Sequence, residues 1–109
     1  MEVKKKETDS KAIKFSVEDE GKEVARAFLY LIRNELHEGP YGLVEDVFVE
    51  ENYRSRGLGS SLVQELIEEA KRQGCYKLIA TSRHGRPAVH GMSERLGFKD
   101  YGKEFRMDF

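Results

Sequence analysis

The hydrophobic period of this chain changes at one place, and that change limits the folds open to it. Leu43 to Val49, LVEDVFV, is a strand-forming run of β-branched and aromatic residues. From Leu58 onward the apolar residues Leu58, Leu62, Val63, Leu66, Ile67 and Ala70 fall on one helical face. Gln64, Glu65, Glu68, Glu69, Lys71 and Arg72 cover the other face. Between the two lies Arg54-Ser55-Arg56-Gly57-Leu58-Gly59. A strand feeding directly into an amphipathic helix implies a layered α/β arrangement, and a parallel return strand makes the crossover right-handed.

The flanking segments extend this layer. Ile13, Phe15 and Val17 alternate within 12–17 as a half-buried strand does, and Glu18-Asp19-Glu20-Gly21 reads as a hairpin turn. Lys22 to Leu36 fits two patterns, because Val24, Ala25, Phe28, Leu29, Ile32 and Leu36 would also form a helical stripe. The preceding turn and the alternation of Phe28, Tyr30 and Ile32 favour a strand. Gly39 to Gly42 reads as a loop. Gly74 stands where a glycine ends a helix, and Tyr76 to Ser82 forms another short strand. Pro87 suits the first turn of a second helix running through Val89, Met92 and Leu96 and stopped by Gly97. Phe98 to Phe109 then holds one or two closing strands around Gly102. The 109 residues suffice for one domain, 1–109, with the first ten frayed.

Charge and cysteine content narrow the function classes. Lys and Arg number 19 against 20 Asp and Glu, which gives no electrostatic reason to expect a nucleic acid or membrane partner. Cys75 is the single cysteine, so neither an internal disulfide nor a cysteine-based metal cluster is available, and no metal is expected. MEVKKKETDS lacks the apolar stretch of a secretory signal, and no run approaches the roughly 20 apolar residues of a membrane span. A cytoplasmic location is the expectation.

The turn at 54–59 has two readings on composition alone. Unpaired N–H groups and the positive end of the helix dipole gather at such a junction, and Gly57 and Gly59 would admit phosphate oxygens close to the backbone. Arg54 and Arg56 add charge to the same rim. A Walker loop requires Gly-Lys-Ser/Thr, and a dinucleotide fingerprint requires a third glycine where Leu62 stands. A tight turn that binds nothing is the other reading.

The residues resemble the GNAT-type N-acetyltransferases. Arg54-Ser55-Arg56-Gly57-Leu58-Gly59 matches the R/Q-x-x-G-x-G/A pyrophosphate loop of that family. LVEDVFVEENYRSRGLG is similar to its acidic fourth strand and loop, and RPAVHGMSERLGF, residues 86–98, is similar to its later helix. The resemblance covers about residues 12–109. It implies a mixed, mostly antiparallel sheet with splayed central strands and flanking helices, and acetyl-CoA as cosubstrate. Carried onto this sequence, Val47, Phe48 and Val49 present backbone groups to the pantetheine arm and thioester. Arg54, Ser55, Arg56, Gly57, Leu58, Gly59 and Ser60 hold the pyrophosphate. Two departures stand out: Ser93 occupies the position of a tyrosine that serves many members as general acid, and the family's two N-terminal helices are expected to be absent.

The chemistry follows from the same resemblance. An amine acceptor must lose a proton before it attacks, and Glu45 matches the glutamate that takes this role in several relatives. Asp46 is expected on the opposite strand face, and an N–H near Val47 could stabilise charge on the thioester oxygen. Tyr101, Tyr76, His84 and His90 are alternative acids on paper; Cys75 reads as a small structural residue. The resemblance thus implies acetyl transfer from acetyl-CoA to a primary amine. The alternative is a coenzyme A-binding regulatory module without turnover. Phe105, Met107 and Phe109 alternate as either a core-facing strand or a two-fold contact, and a homodimer is expected.

Overall fold

The computed structural model describes residues 1–81, 91 and 93–109. Four strands, β1 (Lys11–Asp19), β2 (Lys22–Ile32), β3 (Tyr41–Val49) and β4 (Leu78–Ala80), form one sheet in the order β1-β2-β3-β4. The first three run antiparallel to their neighbours, and β4 is parallel to β3. The helix α1 (Leu58–Arg72) supplies the crossover between β3 and β4. A single turn of 3-10 helix at Glu51–Tyr53 precedes it.

Local chemistry explains the element ends. Glu20 and Gly21 both have positive φ (53° and 78°), the geometry of a two-residue hairpin turn whose twist matches its strands, and Asp19 pairs across it with Lys22. Lys22–Ile32 is a strand because that turn delivers it antiparallel onto β1, where alternation buries Ala25, Ala27, Leu29 and Leu31 on one face. Helix α1 stops at Gly74, which has φ 78°. The Gly74 N–H donates to the Lys71 carbonyl and that of Cys75 to the Ala70 carbonyl, a Schellman closure. Gly97, with φ 99°, repeats the device: its own N–H donates to Glu94 and that of Phe98 donates to Ser93.

The core lies between α1 and one face of the sheet. Leu62, Leu66 and Ala70 meet Ala25, Ala27, Leu29, Leu31 and Val44, with Ile13, Phe15, Val17, Val49 and Leu78 packed around them. Leu29 and Leu66 are wholly buried, which contributes about 1.5–3 kcal/mol each. Gly42 lets β3, β4 and β2 close up here. A Cβ on Gly42 would lie 2.7 Å from Leu78 Cδ1 and 3.0 Å from Leu29 Cδ1.

Two sequence expectations need correction. The fourth strand is shorter than 76–82, spanning only Leu78–Ala80, with Ser82 outside the described residues. Phe98 to Phe109 carries no strand, and Tyr101, Phe105, Met107 and Phe109 are all strongly exposed. Alternation alone cannot make a strand; it needs a neighbour to accept its backbone hydrogen bonds, and among the described residues this segment pairs with none. The second helix was expected from Pro87 through Val89 and Met92, which lie outside the described residues; Gly91 and 93–95 are helical.

Candidate functional site

The register between β2 and β3 slips between Arg26 and Phe28. Arg26 faces Phe48, whereas Phe28 faces Glu45, so Asp46 and Val47 together oppose a single residue of β2. Asp46 takes φ 51°, a left-handed conformation that aspartate tolerates better than most residues. This is a β-bulge, and it breaks the alternation of β3. Val44 and Val49 are five positions apart, yet both pack on the α1 side. Glu45 and Asp46 line the same open groove, with Ser10, Tyr30, Ile32 and Leu43, around a volume of about 350 Å³. Asp46 was expected on the face opposite Glu45, and the bulge is why it is not.

Beyond the bulge, β3 runs on without a partner on its outer side among the described residues. Pairing with β4 covers only Gly42 to Val44, so among the described residues the edge from Glu45 to Val49 faces no strand. Val47 and Phe48 are 37% and 41% exposed there, and Arg26 lies over the Phe48 ring at 4.7 Å. An unpaired edge offers backbone donors and acceptors to an extended ligand.

The loop that follows carries two left-handed residues. Ser55 (φ 63°) and Gly57 (φ 78°) are both left-handed, a pattern that turns successive N–H groups toward a common point. The first turn-to-helix bond of α1 runs from the Ser61 N–H to the Gly57 carbonyl. The N–H groups of Leu58, Gly59 and Ser60 therefore lack helical acceptors. Gly57 is the N-cap and brings no side-chain cap, and no acidic residue stands in the first turn. Helices usually satisfy these donors with Ser, Thr, Asp or Asn, and here the place is left to something else. Among the described residues a Cβ on Gly59 would meet only Val49 Cγ2, at an ordinary 3.7 Å, so packing within them does not require glycine there.

The charged residues of the loop are anchored. Arg54 Nε donates to the Val49 carbonyl at 2.9 Å, bracing the end of β3 with part of its guanidinium. Arg56 lies over the Tyr53 ring at 5.1 Å. Tyr53 Oη donates to Asp19 Oδ2 at 2.5 Å, and the Glu50 N–H donates to the Val24 carbonyl at 2.8 Å. Sequence reasoning missed Asp19 and Tyr53, because one sits in a hairpin turn 34 positions from the other.

The alternative acids fare differently. Tyr76 stacks on His37 at 4.4 Å beside Tyr41, at the start of β3 and so about 26 Å of strand away from the loop. Tyr101 is 96% exposed. His84 and His90 lie outside the described residues. Ser93 is half-buried in the last helical turn before Gly97. Cys75 is partly buried, and burial pushes its thiol above the usual pKa, as suits a packing residue. Among the described residues no cluster of metal-ligating side chains occurs, and no helix is long and apolar enough to cross a membrane.

Comparison with known proteins gives this geometry a family. The model of the acetyltransferase (GNAT) family matches residues 2–98, and the chain belongs to that family. A glucosamine 6-phosphate N-acetyltransferase of Trypanosoma brucei brucei is 37% identical over 67 residues, which make up 62% of this chain and 44% of that protein. An L-methionine sulfoximine/L-methionine sulfone acetyltransferase of Pseudomonas paraeruginosa is 42% identical over 67 residues, covering 61% of this chain and 39% of the other. The matched region thus spans less than half the length of these two relatives. The crystal structure of a Trypanosoma brucei acetyltransferase superposes with a TM-score of 0.79 at 30% identity, covering 90% of this chain and 69% of that one.

Proposed function

We propose that the chain carries out acetyl transfer from acetyl-CoA to a primary amine, as one domain over residues 1–109. The observation that carries the reading is the uncapped start of α1, with left-handed Ser55 and Gly57, directly after a strand whose outer edge is open. The amides of Ser55, Arg56, Gly57, Leu58, Gly59 and Ser60 would hold the pyrophosphate, with Arg54 and Arg56 adding charge. The open backbone of Val47, Phe48 and Val49 would pair with the pantetheine arm and place the thioester at the bulge. The Val49 carbonyl already accepts from Arg54, so pairing is left chiefly to Val47 and Phe48.

Glu45 stands one residue before the bulge and lines the groove on that side of the sheet. A carboxylate there can take a proton from the incoming ammonium, directly or through water. The bulge leaves a backbone N–H near Val47 free to donate to the thioester oxygen as it gains charge. The departing thiolate is stable enough to leave without a strong acid, since thiol pKa values lie near 8.5. That accommodates Ser93 at the position where many relatives carry tyrosine.

The similarity to glucosamine 6-phosphate and methionine sulfoximine acetyltransferases supports N-acetylation and leaves the acceptor open among amines. Release of free thiol from acetyl-CoA across a panel of amino sugars, amino acid analogues and peptides tests the proposal. Amine-dependent release is expected. A second reading, a coenzyme A-binding regulatory module, draws on Ser93; coenzyme binding without release for any amine would select it.

A further inference from the structure

Two residues outside the loop hold it in shape. The β1–β2 hairpin tip reaches the 50–56 segment through two side-chain contacts. Tyr53 Oη donates to Asp19 Oδ2 at 2.5 Å, and Lys22 Nζ lies 3.4 Å from Glu50 Oε1. The second pair is exposed and contributes little. The first is exposed as well, and its consequence lies in the Tyr53 ring it holds, the surface on which Arg56 rests, 5.1 Å from guanidinium to ring centre. The Asp19 acceptor, with smaller contributions from desolvation and from charge on Asp19 and Glu50, raises the Tyr53 phenol above its ordinary pKa. The hydroxyl therefore stays a donor across the neutral range.

We propose that Asp19 and Tyr53 are positioning residues for the coenzyme cradle: Asp19 fixes the Tyr53 ring, and the ring aims Arg56 across the mouth of the loop. The inference rests on the reading of residues 54–60 as that cradle. Neither residue touches the coenzyme in this account. An arginine free to swing must be ordered when an anion arrives, whereas one stacked on a fixed ring has lost that freedom beforehand. The same hydrogen bond ties the strained Ser55 turn to the sheet, two residues from the anchor.

The test uses the full chain, with coenzyme A titrated by calorimetry and thermal unfolding measured on each variant. Tyr53→Phe keeps the ring and loses the bond; Asp19→Ala removes the acceptor, and Asp19→Asn keeps one. Tyr53→Phe and Asp19→Ala are each expected to weaken coenzyme A binding about five- to tenfold. Asp19→Asn should restore most of the affinity. In turnover the loss should appear in KM for acetyl-CoA and leave kcat unchanged, which general destabilisation would not produce. In an Arg56→Ala background, Tyr53→Phe should cost less than twofold, because its effect passes through Arg56. Native affinity in Tyr53→Phe, with Gly59→Leu still impaired, overturns the positioning role alone. Full additivity with Arg56→Ala overturns it too. Coenzyme A binding that is absent from the wild-type chain, or indifferent to Gly59→Leu, overturns the cradle and this inference together.

Discussion

Replacing Gly59 by alanine and by leucine should separate what the fold needs from what a ligand needs. The added Cβ would lie 3.7 Å from Val49 Cγ2, ordinary van der Waals contact, so no backbone shift is required. Gly59 is the second residue of α1 and its φ is not left-handed, so alanine should stabilise the helix by about 0.5–1 kcal/mol. That corresponds to a rise in Tm of about 2–6 °C for a chain of this size. Position 59 stands among the residues Leu58, Gly59 and Ser60, whose amides have no helical acceptor. The family loop accepts alanine at this place, so the alanine variant should keep its affinity. The longer side chain of Gly59→Leu would cover these amides, remove at least one charge-assisted hydrogen bond and lower coenzyme A affinity about ten- to a hundredfold. Thermal unfolding of the free protein gives the first quantity and calorimetric titration the second. Unchanged coenzyme A affinity in Gly59→Leu would refute the reasoning, because the space at Gly59 would then serve nothing.

Other outcomes follow from the same geometry. Glu45→Gln should cut amine-dependent thiol release by about ten- to a hundredfold at neutral pH while coenzyme A affinity stays within twofold, as steady-state kinetics and titration would show. Gly42→Ala places a Cβ 2.7 Å from Leu78 Cδ1 and should destabilise the fold by about 1–3 kcal/mol in denaturant titration. Hydrogen bonds from Gln73 and then Arg72 lower the pKa of Glu69, so its contribution to stability is present above the unfolded carboxylate pKa and fades as pH falls through the folded value. Glu69→Gln should therefore lower Tm slightly at neutral pH, leave it unchanged at acid pH, and so flatten the acid limb of a Tm–pH profile. Phe105, Met107 and Phe109 are 90%, 77% and 113% exposed, and a second copy is expected to cover them. Sedimentation at micromolar concentration should give a dimer that a triple serine variant converts to monomer; a wild-type monomer would contradict this.

The parts of the structure legible in the sequence are those fixed by local pattern. Leu58 to Ala70 carries a full helical stripe ended by Gly74, and the helix occupies Leu58–Arg72. Glu20-Gly21 dictates its own turn, and that turn resolves the ambiguous Lys22–Ile32 into a strand. The closing strands predicted within 98–109 failed because pairing is a property of neighbours, which alternation at 105, 107 and 109 does not specify. The bulge at Asp46 was invisible for a related reason. LVEDVFV looks like an uninterrupted strand, and only its pairing with Arg26 and Phe28 reveals the extra residue. The glycine loop was readable as a motif, whereas Asp19 and Tyr53 join it only through the packing of the hairpin against the 3-10 turn. Glu45 was readable by resemblance; its sharing of a groove with Asp46 was not.

The central claim is that the backbone N–H groups opening α1 receive the phosphates of coenzyme A. Titrating coenzyme A into isotope-labelled protein while following backbone amide resonances tests it residue by residue. The account predicts that the largest saturable shifts fall on Ser55 to Ser60, with a second group on Val47 and Phe48 as the open edge of β3 gains a partner. Shifts confined to other parts of the chain, or no saturable change at millimolar coenzyme A, would contradict it.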